Sequence, residues 1–119
     1  MKTKFQKELK SSPSVAIIPI FEDKKTPTAK KFSAYLKGFE AKFGNTREIV
    51  VKEKGVPPQM IFMGVGKSKS LTGAHTRNLG GKIGAYLKNN KHDEVSIVLN
   101  KSLRKFIFSL YEGILYSQY

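Results

Sequence analysis

Cysteine and tryptophan are absent from this 119-residue chain, acidic side chains are few, and no apolar run is long. Without cysteine, the chain cannot form a disulfide, use a thiolate nucleophile or hold a metal through sulfur. No segment approaches the ~20 apolar residues that a membrane-spanning helix needs, and the amino terminus lacks the apolar region of a signal peptide. We therefore expect a soluble, cytoplasmic protein with no membrane partner.

The shortage of acidic residues leaves a large positive charge. Lysine and arginine number 22 against 9 aspartates and glutamates, which gives a net charge of +13. Such an excess attracts nucleic acid and other polyanions, so it bears on partners rather than on the fold. The basic residues are spread along the chain, and no recognised nucleic-acid-binding motif accompanies them. Nonspecific nucleic acid is therefore a candidate partner, and the alternative is that the lysines simply form a solvated surface.

Length and apolar content are those of one globular domain. At 119 residues, of which 39% are hydrophobic, the chain can bury a single core. No internal repeat, low-complexity segment or linker divides it. We therefore predict one domain over residues 1–119.

Strands are indicated by short apolar segments. They fall at residues 3–9, 14–21, 47–52, 60–63 and 94–99. The segment 14–21 has the apolar density of a strand that is covered on both faces, and Pro19 within it indicates a strand end or an unpaired backbone position. A turn at residues 55–58 predicts antiparallel pairing of the strands on either side of it.

Helices are indicated by apolar residues at helical spacing. The first begins at Thr28, has Phe32, Leu36, Phe39 and Phe43 on one face, and ends at a stop signal at residues 44–45. The second begins after Thr72, and the third covers residues 103–114. Together with the strands, these helices predict an α/β fold, a three-layer sandwich around a mixed, mostly parallel sheet.

Three glycines interrupt the second predicted helix: Gly80, Gly81 and Gly84. Each glycine in a helix interior costs about 1 kcal/mol relative to alanine. We therefore expect these glycines to compensate by allowing the helix to approach the sheet closely.

A glycine loop between a strand and the second helix is the candidate binding site. Loops in this position can hold anions through backbone N–H groups at the start of the helix. The P-loop pattern fails because it requires a glycine where Ile61 stands, and the dinucleotide-binding pattern fails because its third glycine is replaced by Lys69. A phosphate or carboxylate site and a simple tight turn both remain open. The residues of this candidate anion site are Gly64, Gly66, Lys67, Ser68 and Lys69.

No catalytic or metal-binding constellation is evident. His75 and His92 are separated by a predicted helix and have no carboxylate-rich ligand pattern around them, so we expect both at the surface or at helix ends. The adjacent carboxylates at 22–23 and 93–94 would point to opposite faces of a strand, and no Gly-x-Ser-x-Gly sequence occurs. We therefore assign no catalytic residue and no metal ligand to this chain.

Three segments together resemble the amino-terminal domain of leucyl aminopeptidases, also called cytosol aminopeptidases. They are residues 16–25 (AIIPIFEDKK), residues 61–67 (IFMGVGK) followed by LT at 71–72, and residues 112–119 (EGILYSQY). Their order and spacing match that domain over nearly the whole chain. The resemblance implies a macro-domain-like fold in which the third segment lies in the helix that leads to the catalytic domain.

The resemblance also implies that peptidase chemistry lies outside this chain. Leucyl aminopeptidases remove amino-terminal residues from peptides with two divalent metals, usually zinc or manganese, which are held in a carboxyl-terminal domain. The metal-binding segment NTDAEGR does not occur here, so no metal or catalytic residue carries over and no cofactor is expected in this chain. We expect a noncatalytic accessory domain that packs against the catalytic domain and against neighbouring subunits of the family hexamer.

Two other functions stay open. Some aminopeptidases of this family also bind DNA, which agrees with the charge of this chain but identifies no base-reading residue. Binding of ADP-ribose-like ligands would follow only from a macro-like architecture and the loop at residues 64–70, and a fold by itself is weak evidence for a ligand.

Overall fold

A five-stranded sheet forms the centre of the computed structural model, which describes residues 2–7, 15–51, 54, 57–90 and 94–118. Its strands are β1 (Lys2–Gln6), β2 (Val15–Phe21), β3 (Thr46–Val50), β4 (Gln59–Gly66) and β5 (Glu94–Val98). Their spatial order is β1-β5-β2-β4-β3, and all neighbours are parallel except the antiparallel pair β3 and β4. The mixed, mostly parallel sheet is therefore confirmed, as is its antiparallel edge pair. Positions 8–9, 14, 52, 55–56 and 92–93 of the sequence predictions lie outside the described residues.

Helices lie on both faces of the sheet. They are α1 (Pro27–Lys31), α2 (Gly73–Asn89), α3 (Lys101–Arg104) and α4 (Ile107–Tyr116), with a 3-10 turn at Ser33–Leu36. Helices α2 and α4 share one hydrophobic core with the sheet, and α1 and the 3-10 turn contribute to a second core on the opposite face. This arrangement confirms the α/β sandwich.

Strand β2 is buried along its whole length, as its apolar sequence predicted. It lies between β5 and β4, so both of its edges are paired. Pairing with β5 covers Val15 to Ile17, and Pro19 follows the last of these pairs. That position suits proline, because its nitrogen has no hydrogen to donate.

Helix α2 begins where the sequence indicated. The Thr72 hydroxyl caps it by accepting a hydrogen bond from the backbone N–H of His75 at 3.1 Å. Leu79, Ile83 and Leu87 recur on its inner face and are fully buried.

The first predicted helix is wrong, because residues 28–43 do not form one helix. The chain leaves the 3-10 turn at Gly38, which has a φ of +76°, and then runs beside the end of β4. There the carbonyl of Ala41 accepts a hydrogen bond from the N–H of Gly66 at 2.9 Å. The four apolar residues that predicted this helix still pack against the two cores. Phe43, however, packs on the opposite face of the sheet from the other three.

The last predicted helix is divided into α3 and α4. The break falls at Lys105 and Phe106, and Phe106 has a non-helical backbone with φ −113° and ψ 22°. The Asn100 side chain caps α3 by accepting a hydrogen bond from the N–H of Leu103 at 3.0 Å. Helical spacing was therefore right for the buried side chains and missed the bend between the two helices.

The glycines of α2 serve a contact between helices, which corrects the expectation of close packing on the sheet. A Cβ at Gly80 would collide with the carbonyl oxygen of Leu110 in α4, and a Cβ at Gly84 would collide with the Ser117 side chain. A Cβ at Gly81 would meet open space. Gly80 and Gly84 thus allow α2 and α4 to approach closely, whereas Gly81 has no such role of its own.

Candidate functional site

The glycine loop predicted as an anion site begins at the end of β4. Gly64 donates its N–H to the carbonyl of Asn45 at 2.7 Å, and Gly66 donates to that of Ala41 at 2.9 Å. A Cβ at Gly64 would collide with the carbonyl oxygen of Lys42, and Gly66 has a φ of +84°. Both glycines are required by the path of the backbone, and both N–H groups are already used within the chain.

The same loop holds a carboxylate of its own chain. Ser68 donates its backbone N–H to Asp23 Oδ1 at 2.8 Å and its hydroxyl to Asp23 Oδ2 at 3.1 Å. The two residues meet because Asp23 follows β2 and Ser68 follows β4, and the carboxyl ends of these parallel neighbours lie side by side. The backbone hydrogen bond from Ser68 is the largest cause that lowers the pKa of Asp23 below its ordinary value of 3.8.

The remaining members of the predicted site are two exposed side chains, Lys67 and Lys69. Neither forms an ion pair with the residues that the structure describes. An external anion at Ser68 would have to displace Asp23, because the Asp23 carboxylate already accepts both hydrogen bonds that Ser68 donates. Binding of an external anion there stays a prediction.

His75 lies in the first turn of α2, in agreement with the expected helix-end position. Its Nε2 is 2.9 Å from the carbonyl oxygen of Val65, and its ring packs on Phe43 with centroids 4.8 Å apart. His92 is outside the described residues. Across the described ranges, no group of three or more histidine, aspartate or glutamate side chains is placed to hold a metal ion. Across the same ranges, no helix has the length and apolarity to cross a membrane.

A second concave region, which sequence reasoning missed, lies at the carboxyl ends of β2 and β5. We call it the β2/β5 crevice; it encloses about 490 Å³ above a floor of Ile18, Pro19 and Val98. The chain leaves β2 toward α1 on one face of the sheet and leaves β5 toward α3 and α4, which pack on the other face. Chains that diverge in this way leave a gap beyond the strand ends, where α/β proteins commonly bind ligands.

The walls of the β2/β5 crevice are basic and polar. The charged residues that line it are Lys7, Lys31, Lys101 and Arg104, and the polar ones are Thr26, Thr28 and Asn100. Among the described residues that line it, none carries a carboxylate. Within the described part of the chain, none of the four cations belongs to an ion pair.

A neighbouring cavity of about 550 Å³ has a different character. Both signs of charge line it, with Glu22 and Glu40 set among four lysines beside apolar side chains such as Phe39. Its carboxylates can neutralise its own cations, since Lys42 already lies 3.6 Å from Glu40. The neighbouring cavity therefore has a smaller excess of positive charge than the β2/β5 crevice, because two glutamates line it together with its four lysines.

The basic residues of the crevice carry no local sequence signal because they come from three distant parts of the chain. Lys7 follows β1, Lys31 ends α1, and Lys101 and Arg104 belong to α3. The sequence shows basic residues after several of the predicted parallel strands. It does not show that β1, β5 and β2 are neighbours in the sheet.

No protein-family model matches the chain, and no curated protein matches it. The fold and the site define an α/β domain with a basic crevice at the carboxyl edge of a mixed sheet. The resemblance to leucyl aminopeptidases therefore rests on the three sequence segments alone.

Proposed function

We propose that this chain is a noncatalytic accessory domain of a leucyl aminopeptidase-like metallopeptidase, and that it acts by packing against a catalytic domain and neighbouring subunits. In this proposal zinc or manganese belongs to the catalytic domain and not to this chain. The observation that carries the proposal is an exposed apolar surface on α4.

This surface, the α4 patch, consists of Phe108, Tyr111, Leu115 and Tyr116. Their side chains are 87%, 42%, 44% and 65% exposed. They recur at positions i, i+3, i+7 and i+8, so they share the outward face of the helix. The inward face of α4 is already filled by buried residues such as Leu110 and Ile114.

The α4 patch supports docking because it is apolar in a strongly charged molecule. Glu112 is the one charged residue in α4, and it forms an ion pair with Arg77 of α2. Contiguous exposed apolar surface commonly marks contacts between proteins or domains. The family resemblance favours the catalytic domain as the occupant, because it implies that the segment beginning at Glu112 leads toward that domain.

A binding assay with a purified leucyl aminopeptidase catalytic domain from the same genome tests this proposal. Sedimentation velocity should detect a complex with the 119-residue chain. Phe108→Glu should weaken that complex at least about thirtyfold, because a buried aromatic anchor typically contributes 2 kcal/mol or more to binding. Val50→Glu is the matched control, since Val50 is 73% exposed but lies on the edge strand β3.

Two results would contradict the proposal. One is equal weakening by Phe108→Glu and Val50→Glu, which would remove the α4 patch from the interface. The other is hydrolysis of leucyl amides by the chain alone that chelation abolishes, which would make the domain itself a metallopeptidase. An open reading frame after Tyr119 that encodes the metal-binding segment would support the proposal independently.

Nonspecific binding of nucleic acid is a second candidate. Two observations favour it. The net charge is +13, and the ion pairs among the described residues engage few of the basic side chains, namely Lys4, Lys42 and Arg77. A positive field of this kind attracts phosphate backbones without reading their sequence.

A further inference from the structure

We propose that the β2/β5 crevice binds a small phosphorylated ligand through its phosphate group. This binding would be a separate activity from domain packing and does not depend on it. Three features of the crevice support this binding: its charge, its shape and its contrast with the glycine loop.

The residues of the crevice match the chemistry of a phosphate group. Arg104 can donate two parallel hydrogen bonds to phosphate oxygens, and Lys31 and Lys101 can add positive charge from two sides. The Thr28 hydroxyl is a further donor on the same wall. Because the described lining residues include no carboxylate, these groups have no competing anion among them.

In the glycine loop, unlike the crevice, the hydrogen-bond donors already bind an anionic group of the chain itself. There Asp23 accepts two hydrogen bonds from Ser68, so the loop carries its own negative group. The Lys24 ammonium nearby donates to the Ser102 hydroxyl at 2.8 Å and joins the loop after β2 to α3. The described residues of the crevice, by contrast, include four cations and no negative group.

The shape of the crevice favours a small molecule over a nucleic acid strand. Its volume of about 490 Å³ falls within the range of roughly 300 to 1,000 Å³ that is usual for small-ligand pockets. Cations from three separate chain segments line this one concavity. An apolar floor of Ile18, Pro19 and Val98 lies beneath them.

Isothermal titration calorimetry with pyrophosphate, on the 119-residue chain at constant ionic strength, tests the proposal. The double variant Lys101→Gln, Arg104→Gln should lose at least about tenfold in affinity, because one charge-assisted hydrogen bond contributes roughly that factor. The matched control is Lys82→Gln, Lys88→Gln, which removes the same charge from exposed positions of α2 that do not line the crevice and should keep affinity within about twofold, because salt screens long-range charge effects. In NMR titrations, pyrophosphate should shift the backbone amides of Lys31, Asn100 and Lys101.

Each other outcome overturns the proposal. Equal losses in the two double variants would mean that pyrophosphate responds to overall charge and not to the crevice. No measurable binding by the unmodified chain, or amide shifts confined to residues 67–70, would also refute it. If a single-stranded oligonucleotide binds at the crevice residues and pyrophosphate does not, the ligand is nucleic acid and the small-molecule assignment is wrong. Circular dichroism spectra that match the unmodified chain establish that the variants are folded.

Discussion

At the scale of single residues, Asp23 has the best-defined chemical role in the described structure. It is exposed, yet its carboxylate receives hydrogen bonds from the backbone and hydroxyl of Ser68. The lowered pKa means that folding favours the ionised form of Asp23. Its contribution to stability is therefore complete above the ordinary value of 3.8 and is lost as the pH falls through the lowered pKa of the folded state.

We expect Asp23→Asn to lower the melting temperature at neutral pH, because the variant loses the charge in both hydrogen bonds from Ser68. The difference from the unmodified chain should begin to narrow as the pH falls below 3.8 and should be lost below the lowered pKa of the folded state, where the aspartate itself is neutral. Thermal unfolding followed by circular dichroism across this pH range measures both effects.

Glu22→Gln is the control for this change. Glu22 is the exposed neighbour of Asp23, so its substitution removes the same charge without affecting the bonds to Ser68. Parallel pH profiles for the two variants would show that the hydrogen bonds from Ser68 do not stabilise the fold.

At the scale of elements, the packing of α2 on α4 depends on the absence of side chains. Gly80 faces the carbonyl of Leu110, and Gly113 of α4 in turn faces the carbonyl of Arg77, so each helix has a glycine at the crossing. Both helices then bury their larger side chains in one core with the sheet. The glycine cost within α2 is offset by this close approach.

Gly80→Ala should destabilise the protein by about 1 to 3 kcal/mol, the usual cost of forcing extra volume into a packed contact. Gly81→Ala should instead be neutral or stabilising by up to about 1 kcal/mol, because its Cβ meets open space and alanine favours a helix. Urea unfolding of both variants measures the two changes. If both variants lose a similar amount of unfolding free energy, contact between the helices does not distinguish Gly80 from Gly81.

Residues 28–43 show how far element prediction can go from a single sequence. The helical spacing of Phe32 to Phe43 correctly identified side chains that pack in the interior. It could not reveal that Gly38 ends the turn or that the following segment pairs with the end of β4. Those hydrogen bonds join positions more than twenty residues apart, such as Ala41 and Gly66, so local periodicity contains no information about them.

At the scale of the whole molecule, the net charge of +13 sets the field that any partner meets. If nucleic acid is a partner, binding should be dominated by the release of counterions from its phosphates. The logarithm of affinity should then fall linearly with the logarithm of salt concentration, with a slope of about −0.9 per neutralised phosphate of a duplex. Fluorescence anisotropy on duplexes of unrelated sequence should give closely similar slopes and affinities.

Two results would contradict this prediction. Absence of binding at low salt would remove the nucleic-acid candidate, and strong preference for one duplex would require base contacts that charge alone cannot provide. The crevice proposal is tested separately, because pyrophosphate binding there depends on Lys101 and Arg104 and not on the total charge.

The sequence by itself determined the class of fold and the composition of its interior. Apolar density marked β2 as a buried strand, Thr72 marked the start of α2, and the turn after β3 marked an antiparallel pair, because these signals act within a few residues. It also determined the charge, which depends on composition alone.

Only the tertiary structure decided which distant residues meet. The order of the strands brings Asp23 to Ser68 and gathers Lys7, Lys31, Lys101 and Arg104 around one crevice. It also directs Gly80 toward α4 instead of the sheet. The physical reason is that strand order and helix crossing are fixed by the burial of the whole apolar surface at once, which no local window of sequence contains.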